Sequence, residues 1–172
     1  MDVARKHTTQ PITVAASTMA SSVYGDPSIR IMQFSARTEP EAPMLSESVV
    51  AVNRAYEQAG IGPEDIDVLE LPDLSSWHML VYLEADGFCK PGEADRLVDE
   101  EAIAIGGKLP VNPSGGESSF GECVAAAGIA QVCEITEQLR GSAGPRQVEG
   151  CKVGLCQTYG AQGNNGVIIL KK

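Results

Sequence analysis

Apolar and polar positions alternate in blocks along the chain, and the first blocks predict a strand, a long connection and a helix. Residues 11–16, PITVAA, form a short apolar run between polar segments, which is typical of a strand. Residues 17–45 contain three prolines and no sustained period, so we predict an irregular loop there. Ser46 can cap the helix that follows and Gly60 can end it. The apolar face of that helix consists of Val49, Val52, Tyr56 and Ala59.

The middle of the chain predicts another strand and two further helices. The segment 67–71, DVLEL, is a short strand that Pro72 ends, because proline has no N–H to donate to a sheet. A helix is predicted from Ser75 to Ala85. A third helix is more apolar, and its start is so poor in charge that we expect it to be buried nearly all round. Its repeating face is formed by Val124, Gly128, Val132, Ile135 and Leu139.

The last forty residues add two more strands. They are predicted at residues 152–156 and 167–170, joined by a connection over residues 157–166 that is short enough to make them neighbours. The predicted order is therefore strand, helix, strand, helix, helix, strand, strand, which predicts an α/β fold with a mixed sheet.

Composition and charge narrow the class of protein. The 172 residues are enough for one domain, and we assign residues 1–172 to it. A net charge of −10 argues against a nucleic-acid partner. We find neither a leader peptide nor a transmembrane run, and the five cysteines show no C-x-x-C spacing. These features predict a cytoplasmic protein with reduced thiols, without a membrane span and without a metal site.

One glycine-rich stretch, NPSGGESSFGECVAAAG at residues 112–128, is the strongest local signal of a site. Small residues before a helix let the backbone approach a ligand closely and expose N–H groups to an oxyanion or a carboxylate. A tight turn that serves packing alone is the alternative for this stretch.

Three segments together resemble the C-terminal half of a thiolase of the sterol-carrier-protein-2 type. They are residues 55–73, 106–122 and 128–155, and the resemblance runs from about residue 46 to the end. It implies a thiolase-like half with a five-stranded mixed sheet and helices on both faces. It also implies that the nucleophilic cysteine lies in an N-terminal half, on the same or a separate chain. We therefore expect this chain alone to be inactive and to self-associate through the surface that half would cover.

The resemblance also implies a pocket for an acyl-CoA or lipid ligand at the glycine-rich turn. We predict Glu122, Asp73 and Tyr159 as catalytic residues. We expect no resident cofactor, because the coenzyme A thioester would be the substrate. The predicted substrate-binding residues are Asn112, Ser114, Gly115, Gly116, Gly121, Cys123, Cys156 and Gln157.

The chain departs from the thiolase pattern where that pattern has histidines. Pro72, Glu122 and Gln157 stand at those three places, and none of these side chains repeats the chemistry of a histidine. One interpretation is altered chemistry, as in thiolase relatives that are retro-aldolases of steroid side chains and work with an OB-fold-type partner. Those relatives carry a Tyr where this chain has Val124, and Tyr159 could replace it.

Two other interpretations stay open, and they are compatible with each other. The chain could be a non-catalytic subunit that shapes a lipid or acyl-CoA pocket, or the C-terminal domain of a longer thiolase-like protein. In the non-catalytic case, Glu122 would cap the third helix by accepting backbone N–H bonds. His78 is interpreted as a surface or packing residue, and Trp77 as part of the core.

Overall fold

The computed structural model describes residues 3–21, 46–160 and 163–172. Within them, four strands and five α-helices follow one another in the chain. The strands are β1 (Thr13–Ser21), β2 (Val68–Glu70), β3 (Val153–Gly160) and β4 (Asn164–Lys171). The helices are α1 (Ser46–Ala59), α2 (Ser76–Ala85), α3 (Ala94–Asp99), α4 (Gly116–Phe120) and α5 (Ala127–Arg140). The predicted α/β class is confirmed, and α1 and α2 lie where the pattern predicted them.

The strands form one mixed sheet in the order β1-β4-β3-β2. β4 is antiparallel to both of its neighbours, whereas β2 and β3 are parallel. Parallel neighbours need a long crossover, and α2 to α5 all lie within the connection between β2 and β3. The sheet is therefore mixed, as predicted.

The described residues form four strands, so the prediction of five is wrong. Residues 110–112 run beside β2 without becoming a strand: Val111 makes one isolated parallel bridge to Leu69. The Leu69 N–H donates to the Pro110 carbonyl at 3.0 Å, and the Asn112 N–H donates to the Leu69 carbonyl at 2.8 Å. Pro110 and Pro113 have no N–H of their own, so the pairing cannot extend in either direction.

Three strand boundaries also differ from the prediction. β1 continues to Ser21, so residues 17–21 are strand rather than loop; residues 22–45 lie outside the described residues. β3 and β4 extend through most of the predicted connection at 157–166. Polar residues such as Thr158 and Asn165 continue these strands because their pairing partners are already in register. Register across a sheet therefore overrides local polarity here.

Helices cover both faces of the sheet. Leu155 on β3 faces the α1 and α2 side, where the core also contains Val52, Leu83 and Ile169. The neighbouring residue Cys156 faces α5, because side chains alternate along a strand. α5 lies close to β3: a Cβ added to Gly154 would sit 2.3 Å from Ile135 Cγ2. Gly154 is therefore a packing glycine that admits this helix.

The third predicted helix starts later than its pattern suggested. Val124–Ala126 form a 3-10 turn, and Val124 has φ +52°, a left-handed value that is rare for a β-branched residue. The expectation that this start is buried all round is wrong. Val124 is 74% exposed and Ile129 on the first turns of α5 is 68% exposed. No element of the described chain covers that side of the helix.

Candidate active-site cleft

A cleft of about 1200 Å³ lies on the α5 face of the sheet. Its walls are the first half of α5 on one side and the exposed parts of β1, β4 and β3 on the other. Its end is formed by Leu74, Ser75 and His78 at the start of α2, together with Glu122. Apolar lining side chains include Met19, Val124, Ile129, Val132 and Ile168. The cleft is therefore suited to a largely apolar ligand whose polar part meets a few groups at one end.

Three of the predicted site residues line this cleft: Glu122, Tyr159 and Cys156. Glu122 is exposed and follows Gly121 at the end of α4. Burial, and then the negative charge of Glu47, raises the pKa of the Tyr159 hydroxyl, so the phenol stays protonated at neutral pH. Burial raises the pKa of the Cys156 thiol well above its ordinary value. Cys156 is therefore a neutral thiol at neutral pH and a poor nucleophile.

His78 also lines the cleft, which its interpretation as a surface or packing residue did not predict. Its Nδ1 lies 3.4 Å from the hydroxyl of Ser75, the N-cap of α2. The ring centroid is 6.4 Å from that of Tyr159 and 6.5 Å from that of Tyr82. Partial burial lowers the pKa of His78, so a neutral imidazole is available beside the Tyr159 phenol.

Asp73 is buried beneath the glycine-rich turn and acts on α4. Its Oδ1 accepts from the Glu117 N–H at 2.7 Å, and its Oδ2 accepts from the Ser118 hydroxyl at 2.6 Å. A Cβ at Gly116 would lie 2.1 Å from Asp73 Oδ2, so only glycine lets the carboxylate come this close. Both oxygens are in use, which makes Asp73 a positioning residue in this conformation.

Glu70 holds the same turn from the end of β2. Its two carboxyl oxygens accept from the Ser114 N–H at 3.1 Å and from the Ser114 hydroxyl at 2.9 Å. Burial is the main cause that raises the pKa of Glu70 to about 7. The sequence signal for this role is a carboxylate within the otherwise apolar run VLEL.

The other predicted binding residues are placed around this turn or beyond it. Asn112 Oδ1 accepts from the Leu71 N–H at 2.7 Å. Ser114 lines a separate cavity of about 300 Å³, whose other residues include Glu70, Glu134 and Arg146. Gly115, Gly116 and Gly121 all have positive φ, with Gly115 at the N-cap of α4. Cys123 is exposed in front of the 3-10 turn.

Gln157 lies on the opposite face of the sheet from the cleft. Its side chain is 0% exposed, and its amide contacts Ser48 and the carboxyl of Asp86. The Ser48 hydroxyl donates to Asp86 Oδ1 at 3.1 Å. Strand parity decides this placement: Cys156 faces the cleft, so its neighbour Gln157 faces the α1 core. Tyr159 has the same parity as Gln157 and also packs against that core, while it contributes to the lining of the cleft.

The start of α5 carries no side-chain cap. Its N-cap residue is Ala126, and no side chain accepts a cap hydrogen bond there or at Cys123, which precedes the 3-10 turn. The structure therefore does not show the capping role considered for Glu122.

A family model identifies the class of this chain. The family model described as "Thiolase C-terminal domain-like" matches residues 31–172. This chain belongs to that family.

Known relatives agree with the family assignment. The chain is 34% identical over 167 residues to an "Acetyl-CoA acetyltransferase" of Methanothermobacter thermautotrophicus, covering 97% of this chain and 41% of the relative. It is 45% identical over 121 residues to "Sterol carrier protein 2" of Homo sapiens, covering 70% of this chain and 22% of the relative. The predicted resemblance to the sterol-carrier-protein-2 type is confirmed.

A solved structure has the same fold. The "Ltp2-ChsH2(DUF35) aldolase" superposes with a TM-score of 0.77 at 25% identity, covering 94% of this chain and 40% of that one. The chain thus spans less than half the length of these relatives. Among the described residues, no helix has the length and hydrophobicity needed to cross a lipid bilayer.

Proposed function

We propose that this chain is the C-terminal half of a sterol-carrier-type, thiolase-like acyltransferase homologue and contributes an acyl-thioester-binding cleft. The observation that carries the proposal is the large apolar cleft with Glu122 and Tyr159 at its polar end. An acyl or steroid chain would lie along Met19, Val132 and Ile168, with the thioester near Glu122. The coenzyme A thioester is the ligand in this account, and no resident cofactor is needed.

The chemistry requires a second half, on the same chain or a separate one. Cys156 is a buried neutral thiol, and the histidines of ordinary thiolases are replaced by Pro72, Glu122 and Gln157. An N-terminal half would supply the nucleophile and cover the exposed apolar residues Val124 and Ile129. The relatives, which are more than twice as long as the part they share with this chain, support that arrangement.

A retro-aldol reaction is the second candidate, because Glu122, which stands at a thiolase histidine position, lines the same cleft as two other acid–base side chains. Glu122, Tyr159 and His78 line the same end. In such a reaction, a base removes the proton of a 3-hydroxyl group and the bond between C2 and C3 breaks. The electron pair of that bond moves to the thioester as an enolate, which then takes up a proton. The aldolase named among the solved structures supports this candidate, and an OB-fold-type partner is part of it.

Cytoplasmic location and homo-oligomerisation stay predictions. Reduced cysteines are compatible with the first, and the exposed apolar side of α5 with the second. A non-catalytic role, in which the chain only shapes the ligand pocket, is an outcome of the following test.

The test replaces Glu122 by Gln in the chain assembled with its N-terminal half. We expect turnover of an acyl-CoA substrate to fall at least about 100-fold, because a general acid–base group typically contributes that much. The melting temperature should stay unchanged, since Glu122 is exposed and does not cap α5. Glu149→Gln, an exposed change in the loop before β3, is the matched control for charge.

Two results would count against an acid–base role for Glu122. Unchanged turnover would remove it from the chemistry. A lower melting temperature with intact turnover would restore the capping role instead. If wild-type protein binds acyl-CoA but turns over neither thiolase nor aldolase substrates, the non-catalytic interpretation holds.

A further inference from the structure

Gln131, one of the residues that line the cleft, carries a buried hydrogen-bond acceptor without a partner in the described part of the chain. The residue lies on α5, is 6% exposed and lines the cleft beside Val132 and Cys156. Its Oε1 is buried and has no hydrogen-bond partner among the residues that the structure describes. Buried side-chain acceptors are nearly always partnered, so this exception needs an explanation.

Two other polar side chains on the same helix do have hydrogen-bond partners. Gln131, Glu134 and Gln138 share one side of α5, at intervals of three and four residues. Glu134 accepts from the Arg146 guanidinium at 2.9 Å. Gln138 Nε2 donates to the Arg146 carbonyl at 2.8 Å, and Gln138 Oε1 accepts from the Val148 N–H at 2.7 Å.

The loop after α5 therefore partners the two residues that lie away from the cleft. Gln131 lies nearest to the start of the helix, beyond the reach of that loop, and borders the cleft instead. Glu134 and Gln138 have hydrogen-bond partners and lie outside the cleft, whereas Gln131 lines the cleft and its Oε1 has no partner among the described residues. We therefore attribute the free Gln131 acceptor to a ligand bound in the cleft.

We propose that Gln131 is a specificity-determining residue whose side-chain carbonyl accepts a hydrogen bond from an O–H or N–H group of the bound acyl thioester. This inference rests on the proposed function. A cation does not suit this place, because the walls beside Gln131 are mainly apolar and would not stabilise a charge. A neutral donor on an apolar ligand does suit it. In an acyl thioester, that donor is a hydroxyl on the acyl chain or an amide N–H of the pantetheine arm.

Three small thioesters separate these two sources when they are titrated into the 172-residue chain and followed by NMR. S-ethyl octanethioate has no donor, S-ethyl 3-hydroxyoctanethioate has a hydroxyl, and octanoyl-N-acetylcysteamine has an amide N–H. We expect one of the two donors to improve affinity about fivefold over the first probe, which is typical of one neutral hydrogen bond. Gln131→Leu should abolish that preference. Gln131→Glu should keep it, because a carboxyl group retains an acceptor oxygen in either protonation state.

Thermal melting tests the free acceptor without any ligand. Gln131→Leu should melt at or above the wild-type temperature, because it removes an unpaired buried group. Gln138→Leu is the matched control and should melt lower, because it breaks the bonds to Arg146 and Val148. If Gln131→Leu is destabilised as much as Gln138→Leu, the acceptor is in use within the chain and the inference is overturned.

The binding results separate this inference from the proposed function. Equal affinities for all three probes, unchanged by Gln131→Leu, would overturn the role of Gln131 and leave acyl-thioester binding intact. If none of the probes binds the wild-type chain, the inference about Gln131 is overturned, whereas the proposed function is decided by the turnover of the assembled protein.

Discussion

The two faces of the sheet differ in how completely they are covered. On the α1 and α2 face, Leu155, Val167 and Ile169 are fully buried. Some polar groups there have partners inside the chain, as in the 3.0 Å hydrogen bond that the Tyr82 hydroxyl donates to Asn165 Oδ1, whereas the buried Asn165 Nδ2 has none among the described residues. On the other face, α5 packs on β2 and β3 and leaves an open cleft over β4 and β1.

That difference separates the part of the chain that stabilises the fold from the part that is available for function. The closed face buries its apolar side chains within the chain. The open face has exposed Met19 and Ile129, an unpaired Gln131 acceptor and the acid–base side chains of the cleft. Exposed apolar patches of this kind mark interaction sites, which agrees with a chain that matches less than half of its longer relatives.

The largest expected change in the free energy of unfolding comes from replacing an isoleucine on the closed face, and an isoleucine on the open face is its control. Ile169→Ala, on the closed face, should lower the free energy of unfolding by about 2–5 kcal/mol, because it leaves a cavity in a packed core. Ile129→Ala, on the open face, should change it by less than about 0.5 kcal/mol, because that side chain is already in water. Urea denaturation measures both. Equal losses would show that the two faces do not differ in this way.

A smaller change in the free energy of unfolding should come from the titration of Glu70, the buried carboxyl that holds the glycine-rich turn. Its pKa is raised from 4.5 to about 7, so the folded state keeps a proton that the unfolded state has lost. Stability should therefore be complete below about pH 4.5 and fall as the pH rises to about 7, by up to about 3 kcal/mol.

Glu70→Gln tests this pH dependence, because a neutral amide has no proton to lose. Urea denaturation at pH 4.5, 6 and 8 should show a flatter profile for the variant than for the wild type. The control is Glu149→Gln, an exposed change that should keep the wild-type slope. A slope that survives in Glu70→Gln would assign the pH dependence to another group, such as the fully buried Asp86.

The smallest effect concerns the strained turn at the edge of the open face. Val124 has φ +52° and is exposed, so Val124→Gly should raise the free energy of unfolding by up to about 1 kcal/mol, by relieving backbone strain. Val98→Gly, in α3, lacks that strain and should lower it by about 0.5 kcal/mol. A loss of stability in both variants would mean that the Val124 side chain is needed where it stands.

Much of the fold could be predicted because its signals are local. Periodic apolar residues placed α1 and α2, and the combination of short strands with helices indicated a mixed sheet. The fifth strand failed because Pro110 and Pro113 limit the segment beside β2 to a single bridge, which an apolar pattern does not reveal. The prediction that the start of α5 is buried was wrong, because an apolar helix pattern does not show whether the residues that would bury it belong to the same chain.

The site was predicted in part, for the same kind of reason. The resemblance points to Glu122, with Tyr159 as a candidate replacement for the retro-aldolase tyrosine, and both line the cleft. It also suggested Gln157, which strand parity turns toward Asp86 in the closed core. His78 and Gln131 were not predicted as site residues, because only the tertiary structure shows which surface a histidine or a glutamine on a helix faces.

The sequence by itself determined the family, the α/β class and the glycines that a close turn requires. Each of these follows from residues that are near one another in the chain, where spacing and backbone conformation act directly. Only the tertiary structure decided which face of the sheet stays open, that Asp73 and Glu70 hold the turn from below, and that Gln131 alone on its side of α5 lacks a partner among the described residues. Those outcomes depend on contacts between residues far apart in sequence, and such contacts exist only once the strands are in register and α5 lies on the sheet.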